Sequence, residues 1–377
     1  MNLARTDAPL ATATDIQIFN DGARKFDALF EDIRQAKDHI HLQYYILTND
    51  DLGKRLMELL TTKARQGVKV RFLYDDLGSR NLPKSFFREF AASGGRTAAF
   101  LPGLLSNINL RLNHRNHRKL VVVDGSIGYI GGFNVGDEYV GKKNEFGYWR
   151  DTHLRVEGAI VHSLQNRFFI DWNQATKKYP MKYAENFFPD LDNKTGTAMQ
   201  IVASGPLETC EDIKNGYLKM IYHARDSIYL QTPYFIPDNS IMDAMRTAAL
   251  GGVDVQIMIP DKSDHIFVHS ATLSFVRELL QDGVKLYSYK NGFLHAKSLI
   301  IDKKVYAVGS ANMDIRSFSL NFELNAIVYD GPSAKEMADL FFQDKKLSVE
   351  LTEKTFKDQS WKEKVEQAIA KLVSPIL

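Results

Sequence analysis

The chain has 377 residues, of which 44% are hydrophobic and 25% charged, a size and balance suited to one large globular domain or two of about 150–200 residues. A formal net charge of +2 excludes the broad basic field of a nucleic-acid binder, so any basic site must be local. The lone cysteine, Cys210, excludes an internal disulfide framework, and no run approaches the ~18–20 apolar residues of a membrane-spanning helix.

Residues 1–15 lack the apolar core of a signal peptide. Residues 26–37 space their apolar side chains at a helical period and lead into the alternating, β-rich segment 40–46. Residues 52–65 are again helical, and 68–74 read as a buried strand closed by Asp75-Asp76-Leu77-Gly78. A polar and aromatic stretch, 176–197, with Pro180, Pro189 and Asp190-Leu191-Asp192-Asn193, reads as a join. We therefore expect a first half over 1–180, a linker at about 181–197 and a second half over 198–377. The second half repeats the pattern, with helices over 217–224 and 241–250 and strands over 228–231 and 253–259. Helices alternating with short apolar strands predict an α/β fold, a sheet covered by helices in each half.

The two halves also repeat one another in sequence. His117-Arg118-Lys119-Leu120-Val121-Val122-Val123-Asp124 matches His295-Ala296-Lys297-Ser298-Leu299-Ile300-Ile301-Asp302, 178 residues later. At the same offset, Gly131-Gly132-Phe133-Asn134 matches Gly309-Ser310-Ala311-Asn312. Upstream, Ala36, Ile40, Leu42 and Gln43 match Ala224, Ile228, Leu230 and Gln231. A set of matches in order is the signature of an internal repeat.

Alternate side chains of a strand share a face, so His117 and Lys119 are expected to point together, as are His295 and Lys297. Asp124 and Asp302, an odd number of residues further on, face the other way and read as structural. Two such motifs joined across a pseudo-twofold interface would surround one cavity with two imidazoles, two ammonium groups and two amides. That set suits displacement at a phosphodiester. One His attacks phosphorus while the other protonates the leaving oxygen; an acceptor, deprotonated by the second His, then opens the phosphohistidine. Lys119, Lys297, Asn134 and Asn312 would hold the non-bridging oxygens. Asp151 and Glu323, beyond the two motifs, are the candidate carboxylates to orient the rings.

No metal is expected, because the His residues lack metal-ligand spacing and Lys is a poor ligand. His114 reads as a phosphate contact or a loop residue, and His265 and His269 as packing or solvent-facing residues of a helix. Without a P-loop or GxGxxG element, no cofactor is implied.

Paired HxKxxxxD motifs followed by GGxN or GSxN resemble the phospholipase D superfamily. Flanking phrases narrow the resemblance to bacterial cardiolipin synthases: Asn113-His114-Arg115-Asn116, Trp149-Arg150-Asp151-Thr152-His153, Thr232-Pro233-Tyr234-Phe235-Ile236-Pro237-Asp238 and Asn312-Met313-Asp314-Ile315-Arg316-Ser317-Phe318. The similarity runs from about Ile16 to the last residue. It implies two phospholipase D-like halves with the active site between them. It also implies a metal-independent reaction of two phosphatidylglycerol molecules giving cardiolipin and glycerol through a phosphohistidine. The active-site residues it carries over are His117, Lys119, Asp124, His295, Lys297 and Asp302, with His117 as nucleophile and His295 as general acid, then base.

The resemblance places the enzyme at the cytoplasmic face of the cell membrane, acting on phosphatidylglycerol in an anionic surface. Family members commonly begin with two membrane-spanning helices, which this sequence lacks, so the chain is expected to be either a catalytic portion from which an anchor was removed, the preferred reading, or a naturally peripheral form. The apolar segment 98–110 runs into Arg111, Arg115, Arg118 and Lys119 and is expected either to dip into the bilayer or to pack as a strand and loop. The core chemistry also fits a phospholipase D-type phosphodiesterase hydrolysing phospholipids or nucleic acid, since water opens the same intermediate. The near-neutral charge and the flanking phrases favour transfer, with no nucleic acid expected and no protein partner inferable.

Overall fold

A computed structural model of the chain describes residues 8–100, 114–142, 147–191, 195–208, 210–262 and 266–373. The chain opens with β1 (Ala11–Ala13), β2 (Asp15–Phe19), α1 (Gly22–Gln35), β3 (His39–Tyr44), α2 (Asp51–Arg65) and β4 (Lys69–Asp75). It continues through α3 (Arg88–Ala92), β5 (Arg96–Phe100), β6 (Arg115–Asn116), β7 (Leu120–Val123) and β8 (Ile127–Gly131). β9 (Trp149–Arg150), β10 (His153–Glu157) and α4 (Val161–Ala175) complete the first half.

The second half runs β11 (Thr197–Ser204), α5 (Asp212–His223), β12 (Ser227–Gln231), β13 (Phe235–Ile236), α6 (Asn239–Leu250), β14 (Asp254–Pro260) and α7 (Ile266–Leu280). Then follow β15 (Lys285–Tyr289), β16 (Phe293–Leu294), β17 (Ser298–Ile301), β18 (Val305–Gly309), β19 (Met313–Asp314), α8 (Ile315–Ser319) and β20 (Asn321–Tyr329). α9 (Gly331–Lys346), β21 (Ser348–Leu351), α10 (Glu353–Lys357) and α11 (Trp361–Val373) end the described chain.

The two sheets have the same wiring. The first is ordered β2-β10-β8-β7-β3-β4-β5, and the second contains β11-β20-β18-β17-β12-β14-β15 in the equivalent order. In both, the last three strands pair in parallel and the other neighbours antiparallel. β1 leaves the first half to pair with β11, and β21 extends the second sheet beyond β15.

Aspartate caps set the helix starts. The carboxylate of Asp21 accepts from the Arg24 N–H, Asp50 from Gly53 and Asp238 from Ile241. The cap explains why α1 begins at Gly22, ahead of the first strongly apolar position at Phe26. Each sheet is buried on both faces. Val121 and Val123 pack outward with Leu29, Ile33 and Leu56 of α1 and α2. Leu120 and Val122 pack inward into a shared core with Trp172, Tyr229, Ile300, Tyr306 and Phe341. That shared core fastens the halves face to face. Part of the join between halves lies on the first sheet, where Phe187 meets the buried rings of His39 and His41 at 4.9 and 5.2 Å.

Candidate active site

The two short strands that precede the histidines cross to the opposite half. β6 pairs in parallel with β20 of the second half, and β16 pairs in parallel with β9 of the first. The crossings end on reciprocal bonds: the His117 N–H donates to the Phe322 carbonyl at 2.9 Å, and the His295 N–H to the Arg150 carbonyl at 2.7 Å. Residues 117–119 and 295–297 therefore lie outside the strands, where the chain leaves the other half's ladder to join its own sheet. The expected shared strand face for His and Lys is corrected on this point. Their side chains still gather, because Lys119 Nζ donates to the His117 carbonyl at 2.6 Å and Lys297 Nζ to that of His295 at 2.5 Å.

Each imidazole is held by a carboxylate from the other half. His117 Nδ1 lies 3.0 Å from Glu323 Oε1, and His295 Nδ1 lies 2.5 Å from Asp151 Oδ2. Both carboxylates are fully buried. The small-residue step after each motif makes room for them. A Cβ on Gly132 would stand 2.0 Å from Asp151 Oδ1. At the equivalent place the Ser310 hydroxyl donates to Glu323 Oε2 at 2.5 Å. Thr152 N–H donates to Asp151 Oδ1 at 2.7 Å and Asn321 Nδ2 to Glu323 Oε1 at 3.1 Å, fixing both acids.

Both rings open on one cavity of about 470 Å³, together with Asn134, Asn312, Tyr45, Arg115, Trp149, Tyr234 and Arg316. Burial lowers the His117 pKa, against the pull of Glu323. Burial and the Lys297 ammonium push His295 down to about 4, against Asp151. Both rings thus take up a proton less readily than a free imidazole. Burial opposes ionisation of Asp151 and Glu323, but Lys297 and His295 outweigh it for the first, as His117 and Lys119 do for the second. Burial also holds Lys119 well below the usual lysine range. Asn134 Oδ1 accepts from the Ile46 N–H at 3.2 Å, and its Nδ2 donates to Tyr139 at 3.2 Å. Asn312 Oδ1 is buried without a hydrogen-bond partner among the described residues.

Asp124 and Asp302 stand apart from this centre. Each sits in a turn with positive φ, 50° and 52°, at the far end of β7 or β17. Asp124 accepts from the N–H groups of Lys37, Asp38 and His39 at 2.7–2.9 Å. Asp302 accepts from those of Arg225, Asp226 and Ser227. Both carboxylates thus cap backbone N–H groups of the segment that leads into the neighbouring strand.

Arg118, expected as part of the basic run beside segment 98–110, is instead buried in an ion pair, and Arg150, quoted only within a motif, is buried likewise. Arg118 donates to both oxygens of Asp171, at 2.6 and 2.8 Å, and across the interface to the carbonyls of Glu323 and Ser204. Arg150 donates to Asp344 of the second half at 2.8 Å and to the Asp151 carbonyl at 2.5 Å. Gln43 and Gln231 donate to Asp171 and Asp344 respectively, each at 2.8 Å. Their match in the repeat was the available signal, since an amide kept at the same place in two buried strands needs a buried partner.

Of the remaining candidates, His114 precedes β6, and His269 lies on α7 with its pKa lowered by burial. His265 and residues 101–110 fall outside the described residues. Ala98 and Phe100 end β5, with Phe100 edge-on to Phe322 at 5.0 Å. Among the described residues, no three His, Cys, Asp or Glu side chains converge as a metal-binding group. None of the helices among them is long and apolar enough to cross a membrane.

Comparison with known proteins follows the same lines. The family described as "Cardiolipin synthase, PLD-like domain" matches residues 29–172 and 217–345. Cardiolipin synthase 2 of Staphylococcus epidermidis is 52% identical over 377 residues, covering all of this chain and 77% of the relative. The major cardiolipin synthase of Bacillus subtilis is 50% identical over 377 residues, covering all of this chain and 78% of that protein. Among solved structures, a phosphatidylserine synthase from Haemophilus influenzae superposes with a TM-score of 0.73 at 14% identity, covering 98% of this chain and 95% of that one. A polyphosphate kinase from Porphyromonas gingivalis gives 0.61 at 13% identity, covering 96% of this chain and 53% of that one. At such identities the two structures speak for the fold alone.

Proposed function

The chain belongs to the cardiolipin synthase family with a phospholipase D-like domain, and from that premise we propose which residues carry the transfer and which lipids it joins. Its activity is phosphatidyl transfer that forms cardiolipin, on a phospholipid substrate. In the proposed reaction His117 Nε2 attacks the phosphorus of one phosphatidylglycerol, and His295, entering as the imidazolium that Asp151 and the phosphate charge together favour, gives its Nε2 proton to the departing glycerol oxygen. The terminal hydroxyl of a second phosphatidylglycerol then opens the phosphohistidine as His295 takes its proton, leaving cardiolipin and glycerol.

The single observation that carries this assignment is the different company of the two Nδ1 atoms. His117 Nδ1 faces two acceptors, Glu323 and the Ser310 carbonyl oxygen at 3.1 Å. That keeps its hydrogen on Nδ1 and its lone pair on Nε2, as a nucleophile needs. His295 Nδ1 lies between an acceptor, Asp151, and a donor, Lys297 Nζ at 2.9 Å. A ring so placed can pass a proton in either direction. Lys119, Lys297, Asn134 and Asn312 stabilise the non-bridging oxygens, while Asp151 and Glu323 orient the rings. Arg115 and Arg316 at the cavity wall suit anionic headgroups. Asp124 and Asp302 act by holding the turns behind the motifs.

The enzyme is proposed to work peripherally at the cytoplasmic face of an anionic membrane, with the halves meeting near residues 181–197. Mass spectrometry of the product from phosphatidylglycerol vesicles is the test. Diphosphatidyl lipid with released glycerol, both lost in His117→Ala, is expected. Phosphatidic acid as the main product would replace transfer by hydrolysis.

A further inference from the structure

Among the described residues, α11 carries an exposed apolar stripe. Trp361, Val365, Ile369 and Leu372, at intervals of four, four and three, are 71, 47, 50 and 80% exposed. Such intervals place them on one face of a helix. The opposite face, with Gln367 and Ala370, is buried against α7. Ser270 donates to Glu366, Ser274 to the Gln367 carbonyl, and Lys371 pairs with Glu278. The partner numbers rise together, so the two helices run parallel and their N-terminal ends coincide. At that end of α7, Phe267 is 57% exposed and its neighbour Val268 lines the catalytic cavity with Ile236 and Tyr234. The stripe therefore begins beside a wall of the active site.

Its charges favour one occupant. Helical geometry puts Lys362 along one edge of the stripe and Lys364 and Lys371 along the other. The two carboxylates of the helix are engaged elsewhere, Glu366 with Ser270 on α7 and Glu363 with its own cap residue, Ser360. An apolar face with an aromatic end, bordered by lysines on both sides, is the pattern of a helix lying in a membrane interface.

We propose that the Trp361–Leu372 face of α11, with Phe267, docks on an anionic phospholipid bilayer and so brings the cavity mouth to the lipid surface. The proposal rests on the reading that the substrates are bilayer lipids, and adds the surface by which they are met. Lipid headgroups would contact Lys362 and Lys364 while Trp361, Val365 and Ile369 enter the acyl boundary.

Tryptophan fluorescence tests it without interference, because the other two tryptophans, Trp149 and Trp172, are buried. Vesicles of phosphatidylcholine with phosphatidylserine should shift Trp361 emission to the blue, and brominated acyl chains should quench it. Trp361→Glu with Ile369→Glu should weaken vesicle sedimentation by about tenfold or more, while turnover of monomeric short-chain phosphatidylglycerol stays at the unaltered level. Absence of quenching, or vesicle binding unchanged in the double variant, would overturn the proposal. So would a dimer of the unaltered chain that the double variant splits, since the stripe would then cover a second copy. Phosphatidylserine binding needs no turnover, so failure to make cardiolipin would strike the functional reading and leave this result legible.

Discussion

Asp151→Asn should cost far more activity than Glu323→Gln, although the two carboxylates hold equivalent places. In the first substitution the amide oxygen stays on the Thr152 N–H, which Asp151 Oδ1 accepts at 2.7 Å. The new NH2 group then replaces Oδ2, 2.5 Å from His295 Nδ1. With the Lys297 ammonium already 2.9 Å from that nitrogen, two donors now face Nδ1, and the ring hydrogen moves to Nε2. A ring carrying its hydrogen there can neither attack phosphorus nor remove the acceptor's proton, so the result holds whichever histidine is the nucleophile. A wrong tautomer costs on the order of 10⁴-fold in rate. In Glu323→Gln, the Ser310 carbonyl oxygen, 3.1 Å from His117 Nδ1, still requires a hydrogen on that atom. What disappears is a hydrogen bond to a charged group, about 1.5–3 kcal/mol, or roughly 10- to 150-fold. Initial rates of cardiolipin formation in mixed micelles, with melting curves to verify folding, compare the two. Equal losses, or the larger loss in Glu323→Gln, would refute the tautomer argument.

Stability should fall on acidification. His39, His41, His117, His153 and His295 all titrate below their ordinary value because of burial. The unfolded chain therefore takes up protons that the folded chain refuses as pH drops through ~6.5, and stability present above that value is lost on the way to about 4. The urea midpoint should decline between pH ~7 and ~5, and decline less in His153→Leu, whose ring nitrogens have no hydrogen-bond partner among the described residues; a level midpoint would contradict this. Asp124→Ala and Asp302→Ala should each destabilise by about 1.5–3 kcal/mol and keep kcat wherever the protein is folded. Activity lost at unchanged stability would return these carboxylates to the chemistry. Arg118→Met leaves Asp171 a buried charge and should cost about 3–5 kcal/mol, part of which Arg118→Met with Asp171→Leu restores in thermal melts.

Repetition made most of the fold legible. The match of Ile40, Leu42 and Gln43 to Ile228, Leu230 and Gln231 places β3 and β12 at equivalent positions, and the motif offset does the same for β7 and β17. What repetition could not report is which half each short strand pairs with. β6 and β16 are two residues long, too short for any apolar period to show. The strand reading of His117 and Lys119 failed for that reason: ladder bonds to β20 displace the motif from its own sheet. Asp151 and Glu323 were visible as carboxylates near the right distance, but nothing in their neighbours says that each serves the histidine of the other half. Arg118 and Arg150 were hidden more deeply, since a cation within a motif reads as a ligand for phosphate until its burial is seen.

That burial explains why the arginines are there. Exchanging a buried ion pair for apolar residues is often neutral or stabilising, so such pairs are poor devices for stability alone. These two act on position. Arg118 grips the backbone of Glu323 from across the interface, and Arg150 grips that of Asp151 while reaching Asp344 on the opposite half. Each orienting carboxylate is thus fixed by the cation that ties the halves together. A misplacement of about 1 Å in a reacting group costs roughly 10²-fold, so any loosening of the interface reaches both imidazoles at once. Because each half lends a carboxylate to the other's histidine, neither half alone would contain an oriented nucleophile in the proposed reaction. On that reading activity is a property of the interface, and the repeat can work only as a pair.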